Sequence, residues 1–145
     1  MGTIITRQAV ATDAVRISAA LDELRQEFGL TAQIAVPLPV DHNGPNFVLL
    51  AEEHNQIIGL VGAHRCHSLV KGSTFLLITD IYVVGPARKK GVATLLMNEV
   101  NALGRRIHCN AVSLIVSEVN NAALATASRA GYIKHNDMLL TYELD

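Results

Sequence analysis

A chain of 145 residues is the length of one domain and can bury roughly 70% of its unfolded surface. With 50% hydrophobic and 17% charged residues, it is neither a disordered tail nor a protein that coats nucleic acid. Twelve Lys and Arg against thirteen Asp and Glu give a net charge of −1, so no global field draws in DNA or a membrane surface. No apolar run reaches about 18 residues, and no basic-then-apolar leader opens the sequence. The expectation is a cytoplasmic protein without nucleic-acid or membrane partners. Cys66 and Cys109 lie far apart and match no zinc spacing, and the histidines show neither HxH nor HExxH spacing. Reduced thiols and no metal site follow.

Along the chain, Ile4 to Val10 is a β-branched run that predicts a first strand. Thr12 and Asp13 supply a helix-capping signal, and Ile17, Leu21, Leu24 and Phe28 form one apolar stripe of an amphipathic helix that Gly29 closes. Residues 30 to 45 hold Pro37, Pro39, Gly44 and Pro45, a loop long enough to be functional. Phe47 to Ala51 and Ile57 to Ala63 pair as a hairpin across the polar turn Glu52 to Gln56. Lys71-Gly72 then turns into a long apolar strand, Thr74 to Val84, broken by a single charge, Asp80. Gly91 opens a second helix with Val92, Leu95, Leu96, Val100 and Leu103 inward and Glu99 and Asn101 outward. Ala111 to Val116 reads as a buried strand. Asn120 and Asn121 cap an Ala-rich helix from Ala122 to Ala130 that Gly131 ends, and Met138 to Leu144 reads as a last strand. The order is α+β with one βαβ crossover near the end, in a single domain spanning 1–145.

The richest segment in chemistry is Asp80 to Thr94, where a strand ends, a basic turn follows and a helix starts at a glycine. A helix start carries unpaired N–H groups and about half a positive charge. Arg88, Lys89 and Lys90 add side-chain charge there, while Gly91 and Ala93 leave the backbone open. Such a turn can hold a diphosphate or a similar anion, or be only a solvated basic turn. It is neither a P-loop nor a dinucleotide-binding glycine motif.

The Arg88, Gly91 and Ala93 positions resemble the Arg/Gln-x-x-Gly-x-Gly/Ala signature of the GCN5-related N-acetyltransferases (GNAT superfamily). "IITRQAVATDA" is similar to that family's first strand and turn. "ITDIYVVGPARKKGVATLL" is similar to its central strand, loop and helix, and "NNAALATASRAGY" to its late helix. The resemblance implies the GNAT fold, a mixed and mostly antiparallel sheet flanked by helices, with splayed central strands. It also implies acetyl-CoA as acetyl donor. Its diphosphate would rest on Arg88, Lys89, Lys90, Gly91, Val92, Ala93 and Thr94. The acetyl carbonyl and pantetheine would meet the backbone of Ile81, Tyr82 and Val83, and the pantetheine arm would touch Asn120.

Acetyl transfer needs a neutral amine, a stabilised oxyanion and a proton for the departing thiolate. Asp80, on the family position that often faces the acceptor, is the candidate to bind the ammonium or relay its proton; a structural Asp is the alternative. Glu118 is a second acceptor contact, and the 28–45 loop, with Asp41 and His42, would complete the pocket. Two positions depart from the family pattern. Gly85 stands where a proline is expected, with Pro86 one step later. Ala127 stands where many relatives place the tyrosine that protonates the thiolate, and the neighbouring Ser128 points about 100° away. The expected activity is N-acetylation of a small-molecule primary amine by direct attack. Alternatives are acetylation of a protein N-terminus or lysine, or a non-catalytic acyl-CoA-binding module. Strand edges at the C-terminus would suit a homodimer.

Overall fold

A computed structural model describes residues 3–27, 29 and 45–144. Phe28 and the loop residues 30–44, with Pro37, Pro39, Asp41 and His42, lie outside the described residues. Strand β1 is Ile5–Gln8 and helix α1 is Ala14–Glu27. Three strands follow: β2 (Asn46–Glu53), β3 (Gln56–Ser68) and β4 (Ser73–Val83). Helix α2 (Val92–Arg106), strand β5 (Ala111–Leu114) and helix α3 (Asn121–Arg129) complete the regular elements. The strands lie side by side in chain order. The first four pair antiparallel and β5 pairs parallel to β4, reached through α2 as a βαβ crossover.

Local chemistry explains these elements. The β2–β3 hairpin turns on His54 and Asn55, both with left-handed φ (52° and 60°), which is the turn whose twist matches the flanking strands. The two faces of the sheet then separate by period two. Phe47, Leu49 and Ala51 of β2, Val61 and Ala63 of β3, and Leu76 and Ile78 of β4 pack beneath Val92, Leu96, Val100 and Leu103 of α2. Leu50, Leu60 and Tyr82 pack on the opposite face with Ile17 and Ala20, and Leu21 and Leu24 lie against that cluster. Met97 of α2 is also buried, a position the helical stripe did not include.

Helix α2 sits close on the sheet because β3 carries Gly59. A Cβ there would lie 3.0 Å from Val92 Cγ1 and 3.1 Å from both Leu96 Cδ1 and the Tyr82 carbonyl. Any larger residue would push away the first turn of α2, the segment that forms one end of the site. Helix α1 is anchored by charge. Asp13, only 4% exposed, takes both guanidinium nitrogens of Arg7 at 2.8 Å and the Val10 N–H at 2.8 Å. Glu52 accepts from Arg7 at 2.6 Å and Arg16 at 2.8 Å. Hydrogen bonding from Arg7 holds the Asp13 carboxyl well below the usual carboxylate range. Burial pushes Glu52 up, but the two arginines outweigh it and hold that group below its ordinary value as well.

Two sequence expectations are corrected. Ala111 to Val116 does not form a buried strand: β5 ends at Leu114 and is the sheet edge, with Val112 and Leu114 packed inward and Ala111, Ser113 and Ile115 exposed. Met138 to Leu144 forms no strand at all, and Met138, Leu139, Leu140, Tyr142 and Leu144 are 72–88% exposed. A β-rich composition reports fitness for a pleated, half-covered surface, and this segment makes no ladder with β5 or any other described strand.

Candidate active site

The ladder between β4 and β5 ends early. Its pairs run from Phe75↔Ala111 to Ile78↔Leu114, and its last bond is Ile115 N–H to Ile78 O at 3.2 Å. Beyond that point Asp80–Val83 pair only with β3, and the two strands diverge. A β-bulge lies at the point of divergence. Gly62 pairs with Asp80 and Ala63 with Ile78, so Thr79 is the extra residue. Successive strand residues normally point to opposite faces, but a bulge breaks the phase. Leu76 and Ile78 face α2 before it, and Ile81 and Val83 face α2 after it. Thr79 and Asp80 therefore stand side by side on the other face, where the Thr79 hydroxyl donates to Asp80 Oδ2 at 2.8 Å.

This divergence opens a cleft of about 390 Å³. Its β4 wall is Thr79, Asp80 and Ile81, and its β5 wall runs from Leu114 to Ser117. Asn120 and Ala123 enter from α3, and Leu21, Leu24 and Arg25 from α1. Asp80, the single charge in the apolar strand, is exposed into it because after the bulge its position belongs to the open face. Tyr82, two residues on and on the same face, is 6% exposed beneath α1, and burial raises its phenol. Glu118 is exposed beside Ser117 and lies outside the cleft lining. The Asn120 side chain caps α3, accepting from Ala123 N–H at 3.1 Å.

At the far end of β4 the chain makes one 3-10 turn through Gly85, Pro86 and Ala87. Gly85 keeps an ordinary φ, so the displaced proline is accommodated within that turn. Lys89 then takes a left-handed φ of 64° and Gly91 one of 78°. For Lys89 this conformation costs about 1 kcal/mol, the kind of local strain that concentrates at functional turns. The first helical bond of α2 is Leu95 N–H to Gly91 O at 3.0 Å, so the amides of Val92, Ala93 and Thr94 have no intrahelical acceptor. Lys89 and Lys90 are exposed beside them.

Arg88 differs from its two neighbours. Its Nε donates to Val83 O at 2.9 Å, its Nη2 pairs with Glu27 Oε2 at 2.6 Å, and its guanidinium lies 5.8 Å from the Tyr82 ring centre. The hydrogen bond to Arg88 holds Glu27 below its ordinary value. Arg88 thus ties the basic turn to β4 and to the end of α1, leaving Lys89 and Lys90 as the cations of the triplet without an ion pair among the described residues.

On α3, Ala127 is buried and Ser128 is exposed outside the cleft lining. Tyr132 donates its hydroxyl to Asn101 Oδ1 at 2.7 Å, and burial pushes its phenol up to about 12. The hydroxyls that do line the cleft are Thr79 and Ser117, and neither was singled out from the sequence. Among the described residues no group of His, Cys, Asp and Glu could hold a metal ion, and no helix is long and apolar enough to cross a membrane.

Comparison with known proteins agrees with this geometry. The chain superimposes on an aminoglycoside acetyltransferase from an uncultured soil metagenomic sample in complex with sisomicin. The TM-score is 0.84 at 15% identity, over 98% of this chain and 97% of that one. It also superimposes on a ribosomal-protein-alanine N-acetyltransferase from Brucella melitensis biovar Abortus 2308 (TM-score 0.79, 14% identity, 98% and 100% covered). A third match is a predicted acetyltransferase with acetyl-CoA from Clostridium acetobutylicum (0.74, 18%, 97% and 96%). At these identities the likeness concerns the fold. No match is found among curated protein sequences. The model of the acetyltransferase (GNAT) family matches residues 17–132. That span takes in the diverging strands, the basic turn and the late helix, and the chain belongs to the GNAT acetyltransferase family.

Proposed function

We propose that this chain is a single-domain enzyme transferring an acetyl group from acetyl-CoA to the primary amine of a small molecule by direct attack. The observation that carries the reading is the divergence of β4 from β5 beyond Ile78. It places Asp80 in a cleft on one stretch of strand, while the same strand runs on to the unpaired amides at the start of α2.

The residues present suit acetyl-CoA. The Val92, Ala93 and Thr94 amides, with Lys89 and Lys90 beside them, form an anion cradle for its diphosphate. The edge of Ile81, Tyr82 and Val83 that β5 leaves unpaired suits the pantetheine amides, with Asn120 of α3 at the opposite wall. When bound, acetyl-CoA supplies an acyl group activated as a thioester. Arg88 holds the turn in place through Val83 and Glu27. Asp80 draws the ammonium of the acceptor into the cleft and takes its proton, and Glu118 stands just outside as a further acidic contact. With Ala127 on α3, protonation of the thiolate falls to water. The protein is cytoplasmic in this reading, and works without nucleic acid, membrane or metal.

Calorimetric titration with acetyl-CoA tests the cradle, and thiol release across a panel of primary amines tests the reaction. Asp80→Asn should lower turnover by about 10²-fold, the scale of a positioned proton acceptor, and leave acetyl-CoA affinity intact. Equal loss of both would remove Asp80 from the acceptor side. Tight acetyl-CoA binding with no thiol release from any amine would favour an acyl-CoA-binding module.

A further inference from the structure

The face of the sheet that carries Asp80 also carries a continuous hydrogen-bonded chain across three strands. His64 Nδ1 lies 2.9 Å from Asn46 Oδ1, and His64 Nε2 lies 2.8 Å from Thr79 Oγ1. Thr79 Oγ1 in turn lies 2.8 Å from Asp80 Oδ2. The β2–β3 register sets Asn46 opposite His64, and the bulge delivers Thr79 and Asp80 together to the same face. Arg65, next to His64, projects to the other face of β3 and reaches Ile107 O at 3.5 Å. From α1, Arg25 lines the cleft and is paired with Asp22 at 3.1 Å. Asp80 is therefore the charged member of the chain.

Proton counting gives this chain two states. Asn46 Oδ1 can only accept, so His64 Nδ1 carries a proton. The Thr79 hydroxyl has one proton and two acceptors competing for it, Asp80 Oδ2 and His64 Nε2. With a neutral ring, that proton can serve Nε2. With an imidazolium, the Nε2 proton is donated to Thr79, whose own proton is donated to Asp80. The two states differ by one proton on the ring, and Thr79 and Asp80, which both line the cleft, connect that ring to it.

We infer that His64 takes up, through Thr79, the proton that the acceptor amine loses before it attacks. The inference rests on the acetyl-transfer reading above. The ammonium gives one N–H proton to the Asp80 carboxylate. Asp80 passes a proton to Thr79 Oγ1 as the proton already on Thr79 moves to His64 Nε2. The ammonium becomes a neutral amine with a free electron pair, His64 becomes an imidazolium, and the Asp80 carboxylate and the Thr79 hydroxyl are restored. One positive charge has moved from the amine to the ring, which returns its proton to solvent after turnover. His64 is half-buried and does not line the cleft, so it is a positioning residue acting through Thr79.

The decisive acceptors are two amines of one shape, ethylamine and 2,2,2-trifluoroethylamine; the second is already neutral near pH 7 because fluorine withdraws electron density. Thr79→Val and His64→Gln should lower kcat for ethylamine by about 10²-fold, with KM and the rate on trifluoroethylamine within about threefold of wild type. Thr79→Ser, which keeps the hydroxyl, should restore ethylamine turnover. Independently of turnover, the side-chain ¹⁵N spectrum of His64, recorded with the ring neutral, should show Nδ1 protonated and Nε2 accepting a hydrogen bond in the wild-type protein, and the Nε2 signal should shift in Thr79→Val, which removes the hydroxyl. Equal losses on both amines, full ethylamine turnover in His64→Gln, or a His64 Nε2 signal unmoved by Thr79→Val would each overturn the relay. Absence of thiol release from every amine would instead overturn acetyl transfer, and the His64 spectrum would still decide the relay.

Discussion

Gly91 and Gly85 flank the basic turn, and they separate backbone conformation from space. A Cβ added at either position meets nothing within 4 Å beyond its chain neighbours. Only Gly91 has a left-handed φ, 78°, a conformation that costs an L-residue about 1–2 kcal/mol. Gly91→Ala should therefore destabilise the protein by about 1 kcal/mol, roughly 3 °C in Tm for a chain of this size. Gly85→Ala should change stability by less than Gly91→Ala, because the roughly 0.5 kcal/mol gained from the unfolded chain is set against the crowding of Pro86 on the residue before it. Denaturant melts of the two variants in parallel check the pair. Acetyl-CoA titration adds the functional half: Gly91→Ala weakens binding by at most the same strain, about fivefold, whereas Gly91→Glu sets a carboxylate against the diphosphate and should abolish it. Equal stability of Gly91→Ala and wild type would refute a left-handed start to α2. Undiminished binding by Gly91→Glu would refute the anion cradle.

The Asp13 cluster should make stability acid-sensitive. Folded Asp13 and Glu52 are held below their ordinary values, so their contribution is complete above the unfolded carboxylate value near 4 and fades as pH falls below it. Asp13→Asn should cost about 2 kcal/mol at pH 7, less than a fully buried pair because Arg7 is partly exposed, and should flatten the acid limb of a stability–pH curve measured by urea melts. Burial pushes the Cys109 thiol up. In a Cys66→Ser background, iodoacetamide should accordingly modify folded Cys109 more slowly at pH 7 than the urea-unfolded chain, with the rate climbing only at more alkaline pH. Equal rates would contradict its burial.

Much of this architecture was legible because its period is strong. The alternation in β2 and β3, the α2 stripe and the Asn120 cap each follow from local chemistry, and the basic turn stood out because three cations precede a glycine at a helix start. The bulge was legible too, though only as a phase error. Continuing the alternation of Leu76 and Ile78 would bury Asp80, whereas Ile81 and Val83 restore the apolar phase one residue late. Thr79 is the residue in excess, and a reading that treated the strand as uninterrupted passed over it and its partner His64. Ser117, Arg25 and Ala123 carried no local signal. They reach the cleft because β5 diverges and α1 crosses the open face, which are facts of tertiary assembly. The C-terminal segment had the composition of a strand, but composition does not supply a neighbour to pair with.

The bulge at Thr79 makes β4 two rulers joined out of step. Upstream, the odd and even positions are fixed by packing beneath α2, and downstream the same assignment is reversed. Substitutions that reshape the cleft half can therefore proceed without disturbing the inward sequence of the core half. Regular alternation with Thr79 kept in the ladder would turn Asp80 and Tyr82 toward α2 and Ile81 and Val83 toward the cleft, whereas deleting Thr79 would remove the bulge and leave every one of these faces as it is. One residue without a register partner in β3 thus decides which side of the sheet is chemistry and which is foundation.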